Sequence, residues 1–354
     1  MTRPVRRPAA LGVAGVLALG LASCAAEPVP APRPQPVDGP VAALTADRAD
    51  VVRAEVSEAL AAADAARDAA LLETRVTGAA AELRVARYRL QGVVGGSPAP
   101  APVGGEVLRD VVPAVTTPGA EEGAVPADAV DPSAAAGTFP RTWATVTQAE
   151  GQQQPQLSVL VQDEARSPYR LVATAGLLPG AVVPGTATGD AGTPPVDPAA
   201  LVLPPADAVA AYAAALGTPA ADADGAAAAV ADDAFRQVVS AEETEADALD
   251  FFDASVTRAV REGSVVSVAT GDGGALVLGL LDTERVQQLE PGAEGALLRL
   301  PADEAALAGT EEAGERTSTT WVEAVALVVP PADAEDTQVR AVAADRVLVA
   351  AEVS

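Results

Sequence analysis

Between residues 45 and 72, Val52, Val56, Ala59, Leu60, Ala63 and Ala70 recur at spacings of three, four and seven. Arg48, Arg53, Glu55, Glu58, Asp64 and Arg67 cover most of the other positions. That period sets one apolar face on a helix, and Thr45 stands where an N-cap is expected. Glu82–Leu90 alternates instead (Leu83, Val85, Tyr88, Leu90, with one slip), which predicts a strand. Residues 91–140 are rich in Gly, Pro, Ala and acids and read as loop, with one short strand at Val107–Val112. Three strands follow: Arg141–Gln148, with Trp143 sharing a face with Thr145 and Thr147; Leu157–Gln162; and Tyr169–Leu178, ended by Pro179 and Gly180. Asp163–Pro168 joins the last two as a hairpin connection.

The second half repeats the order. Residues 181–204, rich in Gly, Pro and Thr, read as a linker. Pro205–Leu216 has Pro at its start and Gly217 just past its end, the asymmetry of a short helix. Residues 220–231 are low-complexity Ala and Asp. Asp232–Glu262 reads as a helix with Phe235, Val239, Phe252, Val256 and Val260 inward, stopped by Gly263. Apolar runs on both sides of Gly271–Gly274 (GDGG) signal a hairpin. Thr317–Val329 and Val339–Val353 complete a second set of strands. Each half thus offers a helix of about seven or eight turns and then an antiparallel meander. The expectation is α+β, as two tandem helix-plus-sheet domains, 41–180 and 205–354, joined by 181–204. By analogy of pattern alone, each would be NTF2-like or cystatin-like.

The first 23 residues change the picture. Arg3, Arg6 and Arg7 precede an apolar run, Leu11–Leu21, which ends in Leu21-Ala22-Ser23-Cys24. A basic start, an apolar stretch of roughly 7–15 residues and small residues at a cut site make a secretory signal. The run is shorter than the roughly 20 residues of a spanning helix. The tetrad resembles the lipobox of bacterial lipoproteins, which implies cleavage between Ser23 and Cys24 and diacylglycerol on the Cys24 thiol. More than one acyl chain anchors stably. The expected location is the extracellular face of the cell membrane. Residues 24–40 then form a lipidated, Pro-rich tether.

Composition narrows the partners. The chain carries a formal net charge of −26, and loss of the three leader arginines would take it to −29. Such a balance argues against nucleic acid, whose phosphates require Lys and Arg, and leaves the lipid itself as the membrane contact. The prominence of Ala, Val, Asp, Gly, Pro and Arg fits GC-rich codons. At Phe139–Trp143 (FPRTW), Leu157–Gly180 and Arg75–Gly78 (RVTG) the sequence resembles a group of uncharacterised actinobacterial secreted lipoproteins. The resemblance spans most of the chain after the tether and carries over no catalytic residue.

The chemistry is read mostly by exclusion. There is no histidine and no lysine, and Cys24 is the single cysteine. His-dependent nucleophilic catalysis, Schiff-base chemistry and Cys or His metal sites therefore go, and no cofactor or metal is expected. Carboxylates remain: Glu242, Glu243, Glu245 and Asp247, and Asp163 with Glu164. The first group reads as a solvated stretch near a helix start, where acids suit the macrodipole. Asp222–Gly225 lacks the ligand spacing of a calcium loop. Arg166, Tyr169 and Arg170 form the candidate contact surface, against a turn whose arginines pair with Asp163 and Glu164. Trp143 and Trp321 read as core anchors. The resulting expectation is a non-enzymatic binding or scaffold lipoprotein that engages an envelope protein or a small ligand. The alternative is a carboxylate-dependent enzyme acting on the cell wall or a polysaccharide.

Overall fold

The computed structural model describes residues 40–94, 99–116, 139–185, 192–218 and 224–354. Ser23, Cys24, the leader and nearly all of the tether lie outside them, as do Asp222 and Ala223. The tether expected to run through Pro40 ends there in a short strand, β1 (Pro40–Ala42), paired with β3 (Ala114–Thr116).

Helix α1 spans Ala46–Ala66. Thr45 caps it, its hydroxyl accepting from the Arg48 amide, and Ala49, Val52, Val56, Leu60 and Ala63 form the buried stripe. The helix is shorter than its apolar pattern. Arg67 turns left-handed at φ 52°, and Ala69–Leu72 is a separate 3₁₀ turn that tucks Leu72 into the core. Helix α2 spans Gly78–Val93 and replaces the strand expected at Glu82–Leu90. Leu83, Ala86 and Leu90 are buried at spacings of three and four, the helical solution to a run of alternating residues containing one slip. Asp64 on α1 joins the two helices: it accepts from Arg84 at 2.7 and 2.9 Å and from the Tyr88 hydroxyl at 2.6 Å.

The remaining strands are β2 (Glu106–Val111), β4 (Arg141–Gln148), β5 (Gln156–Gln162), β6 (Arg170–Leu177), β7 (Phe252–Val260), β8 (Val266–Ala269), β9 (Ala275–Leu289), β10 (Leu298–Arg299), β11 (Glu312–Ala313), β12 (Arg316–Val329) and β13 (Arg340–Val353). Three further helices are α3 (Pro205–Ala215), α4 (Ala234–Asp247) and α5 (Ala302–Ala308). The expected helix over Asp232–Glu262 is therefore half helix and half strand. Phe252, Val256 and Val260 are four apart, a spacing that fits one face of a helix and equally one face of a strand. The intervening Ala254 and Arg258 are also partly buried while their neighbours are exposed, which is period two.

Strands from both halves join one antiparallel sheet, in the order β2-β4-β5-β6-β13-β12-β9-β7, with β8 extending the β7 edge of β9. The expectation of two separate sheets is corrected here. The halves meet where β13 pairs with β6 through Ala343–Leu177 and Ala344–Gly176, extended by the Leu178 amide donating to the Val342 carbonyl at 2.9 Å. Residues 181–204 do not divide one sheet from another. Ala144, Val146, Leu157 and Val159 share one hydrophobic cluster with Val268, Leu276, Leu278, Val322 and Val347, so the sheet curls to bring both ends onto one core. Helix α1 covers the other face at the first end, over Trp143, Leu160 and Leu171. Helix α3 covers it at the second, over Val277, Leu281, Val325 and Leu327. Helix α3 lies close because Gly279 has no side chain: a Cβ there would meet Val209 Cγ1 at 2.5 Å.

Candidate functional site

The sheet face beneath α4 is polar at its centre. In the β9–β12 register Trp321 lies opposite Thr283, and in the β12–β13 register Glu323 lies opposite Arg346. Arg258 on β7 lies opposite Thr283. Side chains directly across or on the diagonal of neighbouring strands touch. Arg285 and Arg346 accordingly place their guanidiniums 4.8 and 5.1 Å from the centre of the Trp321 ring, within cation–π range. Glu323 is 1% exposed and accepts from the Thr283 hydroxyl at 2.9 Å.

Two helices lower acids onto this face. From α4, Glu242 pairs with Arg346 at 2.9 Å and Glu243 pairs with Arg258. From α5, Glu304 pairs with Arg285. Glu304 is itself 4% exposed, and its Oε2 is buried without a hydrogen-bond partner among the described residues. Four carboxylates thus meet three guanidiniums, and one proton on a buried acid would balance them. Burial pushes both Glu304 and Glu323 above the ordinary carboxylate value; Arg285 opposes the rise at Glu304, and Arg258 and Arg346 oppose it at Glu323. Burial likewise lowers Arg258.

Above the cluster lies a cleft of about 900 Å³ between the end of α2, α4 and α5. Arg87, Leu90, Leu249, Leu298 and Leu348 wall it, and Trp321, Arg285 and Arg346 lie at its floor. Such a volume is that of a small-molecule site. A second cavity, about 640 Å³, lies on the other side of α4 over β7. Glu242, Glu245, Ala246 and Leu249 face the first cavity, and Glu243 and Asp247 face the second.

The acids expected near a helix start occupy the last two turns of α4 instead, with no basic residue on that end. Acids there oppose the macrodipole, and Arg258 and Arg346 compensate from the sheet. Trp321 is buried, as an anchor would be, but inside this polar cluster. Trp143 lies fully in the core. The candidate contact surface separates. Tyr169 is corrected from surface to core: it meets Trp143 edge-on, centroids 6.0 Å apart, because it falls in phase with Leu171, which packs in the same cluster beneath α1. Arg170 donates to the Glu73 carbonyl at 3.1 Å, and Arg166 stays exposed. No ion pair to Asp163 or Glu164 forms among the described residues. Sequence reasoning did not single out Arg258, Arg285, Glu304, Glu323 or Arg346; each lies on a different element from the next, and only the fold gathers them.

The four acids Asp233, Glu304, Glu323 and Asp345 have their pKa raised chiefly by burial. A raised native pKa means the folded state binds the proton more readily, so stability falls as pH climbs from the ordinary carboxylate value of 4.5 for Glu through the raised ones. Asp336 shifts the other way but is fully exposed. The expected result is a higher Tm near pH 5 than near pH 8, with Glu323→Gln flattening the difference. A Tm that rises steadily between those values would contradict it.

The chain matches no protein-family model, no curated protein and no solved structure.

Proposed function

We propose that this chain is a membrane-anchored extracytoplasmic lipoprotein with a non-enzymatic binding role, and that its ligand enters the cleft over Trp321. The observation that carries the binding reading is that cleft, about 900 Å³ with an apolar wall and a floor of guanidiniums and one tryptophan. The anchor reading rests on the tetrad Leu21–Cys24 behind a basic, apolar leader. The resemblance to actinobacterial secreted lipoproteins agrees with the anchor.

A carboxylate-dependent enzyme acting on polysaccharide would draw on Glu304, a cleft-lining acid with a raised pKa. The surroundings favour it less. Glu304 is engaged by Arg285, Glu242 by Arg346, and the Arg285 and Arg346 guanidiniums already stack against the Trp321 ring on which a sugar would have to lie.

The anchor is tested by Cys24→Ala in cells. The wild-type chain is expected in the membrane fraction and the variant in the soluble extracytoplasmic fraction. A variant that stays as firmly membrane-bound as wild type removes the lipid from the proposal. Binding is tested separately by cross-linking in living cells and by ligand screening on the purified chain. Saturable binding lost on blocking the cleft with Leu298→Arg supports the site, and binding indifferent to that change places it elsewhere.

A further inference from the structure

We infer that the second half of α4 is a displaceable cover, and that Glu242 and Glu243 on it occupy guanidiniums which otherwise take the head group of an amphiphilic anion. This rests on the cleft being the ligand site.

The two ends of α4 are held very differently. At the N-terminus, Asp233 accepts from the amides of Phe235 and Arg236 and from the Tyr212 hydroxyl at 3.1 Å. The Arg236 side chain, 2% exposed, donates to the carbonyls of Ala215, Thr218, Val230 and Ala231. Val239 adds an apolar contact. Beyond it, α4 meets the sheet through Glu242–Arg346 and Glu243–Arg258, with Ala246 the one buried residue of that half. That end carries four acids and no base, so the macrodipole works against it. The Glu242 side chain is 46% exposed, and an ion pair so open to solvent is weak, which leaves Glu243–Arg258, 19% and 10% exposed, as the firmer hold on that half. The segment that follows is strained: Phe251 sits at φ 73°, a conformation costly for an aromatic residue, with its ring exposed.

Cavities lie on both sides of this half-helix, and its acids line each. Lifting it would join them across Arg258, Arg285 and Arg346, three cations on one face of the sheet in a chain whose net charge is −26. Guanidiniums prefer carboxylate, sulfonate or phosphate oxygens. Leu90, Leu249, Leu298 and Leu348 beside them suit an apolar body. A single head group with a hydrocarbon or aromatic tail satisfies both halves of the site.

The probe is 8-anilinonaphthalene-1-sulfonate, titrated into the folded chain and followed by its own emission. The wild type is expected to bind saturably, Glu242→Gln/Glu243→Gln about tenfold more tightly, and Arg346→Gln about tenfold more weakly, with circular dichroism confirming that each is folded. Amide hydrogen exchange on the wild type supplies a second readout: with probe bound, residues 240–249 should exchange faster while 234–239 hold. Competition by soluble octanoate or by phosphatidylglycerol vesicles tells a free carboxylate from a lipid, and displacement by neither overturns the inference. Absence of saturable binding to wild type and variants alike defeats the cleft as a ligand site. Saturable binding unmoved by the three charge changes, with residues 240–249 unaltered, defeats only the anion and its cover.

Discussion

Trp143→Ala is expected to cost about 4 kcal/mol, the middle of the range for removing a fully buried large aromatic. The Trp143 ring has no exposed surface. It packs with Tyr169 edge-on, lies 5.3 Å beneath the Arg53 guanidinium, and its indole N–H donates to Asp110 at 3.2 Å. Around it are Leu160 and Leu171 from the strands and the buried stripe of α1. Truncation would leave a void between sheet and helix and orphan part of the polar layer that fastens α1 to β2. Urea denaturation followed by circular dichroism measures the loss. A cost below about 1.5 kcal/mol would mean that α1 closes onto the sheet without the ring, and that the cluster is looser than its burial implies.

Arg236→Met should cost about 3 kcal/mol, through a different mechanism. The Arg236 guanidinium satisfies the carbonyls that end α3 and those at Val230 and Ala231. Met fills similar space but donates nothing, and buried acceptors left unpaired carry a desolvation penalty. Arg236→Lys should recover little, since one ammonium cannot span acceptors on two segments as a planar fork does. Thermal unfolding of the pair is the measurement. A lysine variant as stable as wild type would show that charge, not geometry, is what the site requires.

Much of the fold was legible because its signals are local. Pro205 and Gly217 bracket α3, Gly271–Gly274 joins β8 to β9, and the alternation at Arg141–Gln148 appears as β4 with its predicted bounds. The errors arose where one pattern serves two periods. Phe252, Val256 and Val260 satisfy four and two alike, and Leu83 to Leu90 holds an alternation that a helix also accommodates. The single sheet could not be read at all, since β6 and β13 meet over a short seam at a separation of more than 150 residues, with no local mark of their pairing. The candidate site was half visible. Trp321 and Glu242–Asp247 stood out by residue type, but Arg258, Arg285, Glu304 and Arg346 looked like ordinary surface charges. Their burial depends on which strands become neighbours and on where two helices settle.

The seam between β6 and β13 also bears on how the molecule comes into being. Among the sheet's strands β13 is last in chain order, yet it lies in the interior of the sheet, between β6 and β12. A chain made from its N-terminus can assemble β4, β5 and β6 early, as sequential hairpins. Leu171 on the inner edge of β6 pairs with Arg75 and Thr77, but the Gly176–Leu178 end of that edge must wait, its backbone unpaired, until β13 arrives. Distant pairings form slowly, and open strand edges in the interval invite wrong partners. Completion of this sheet therefore depends on β13, and its most vulnerable intermediate is a folded first half whose β6 edge still waits for that strand.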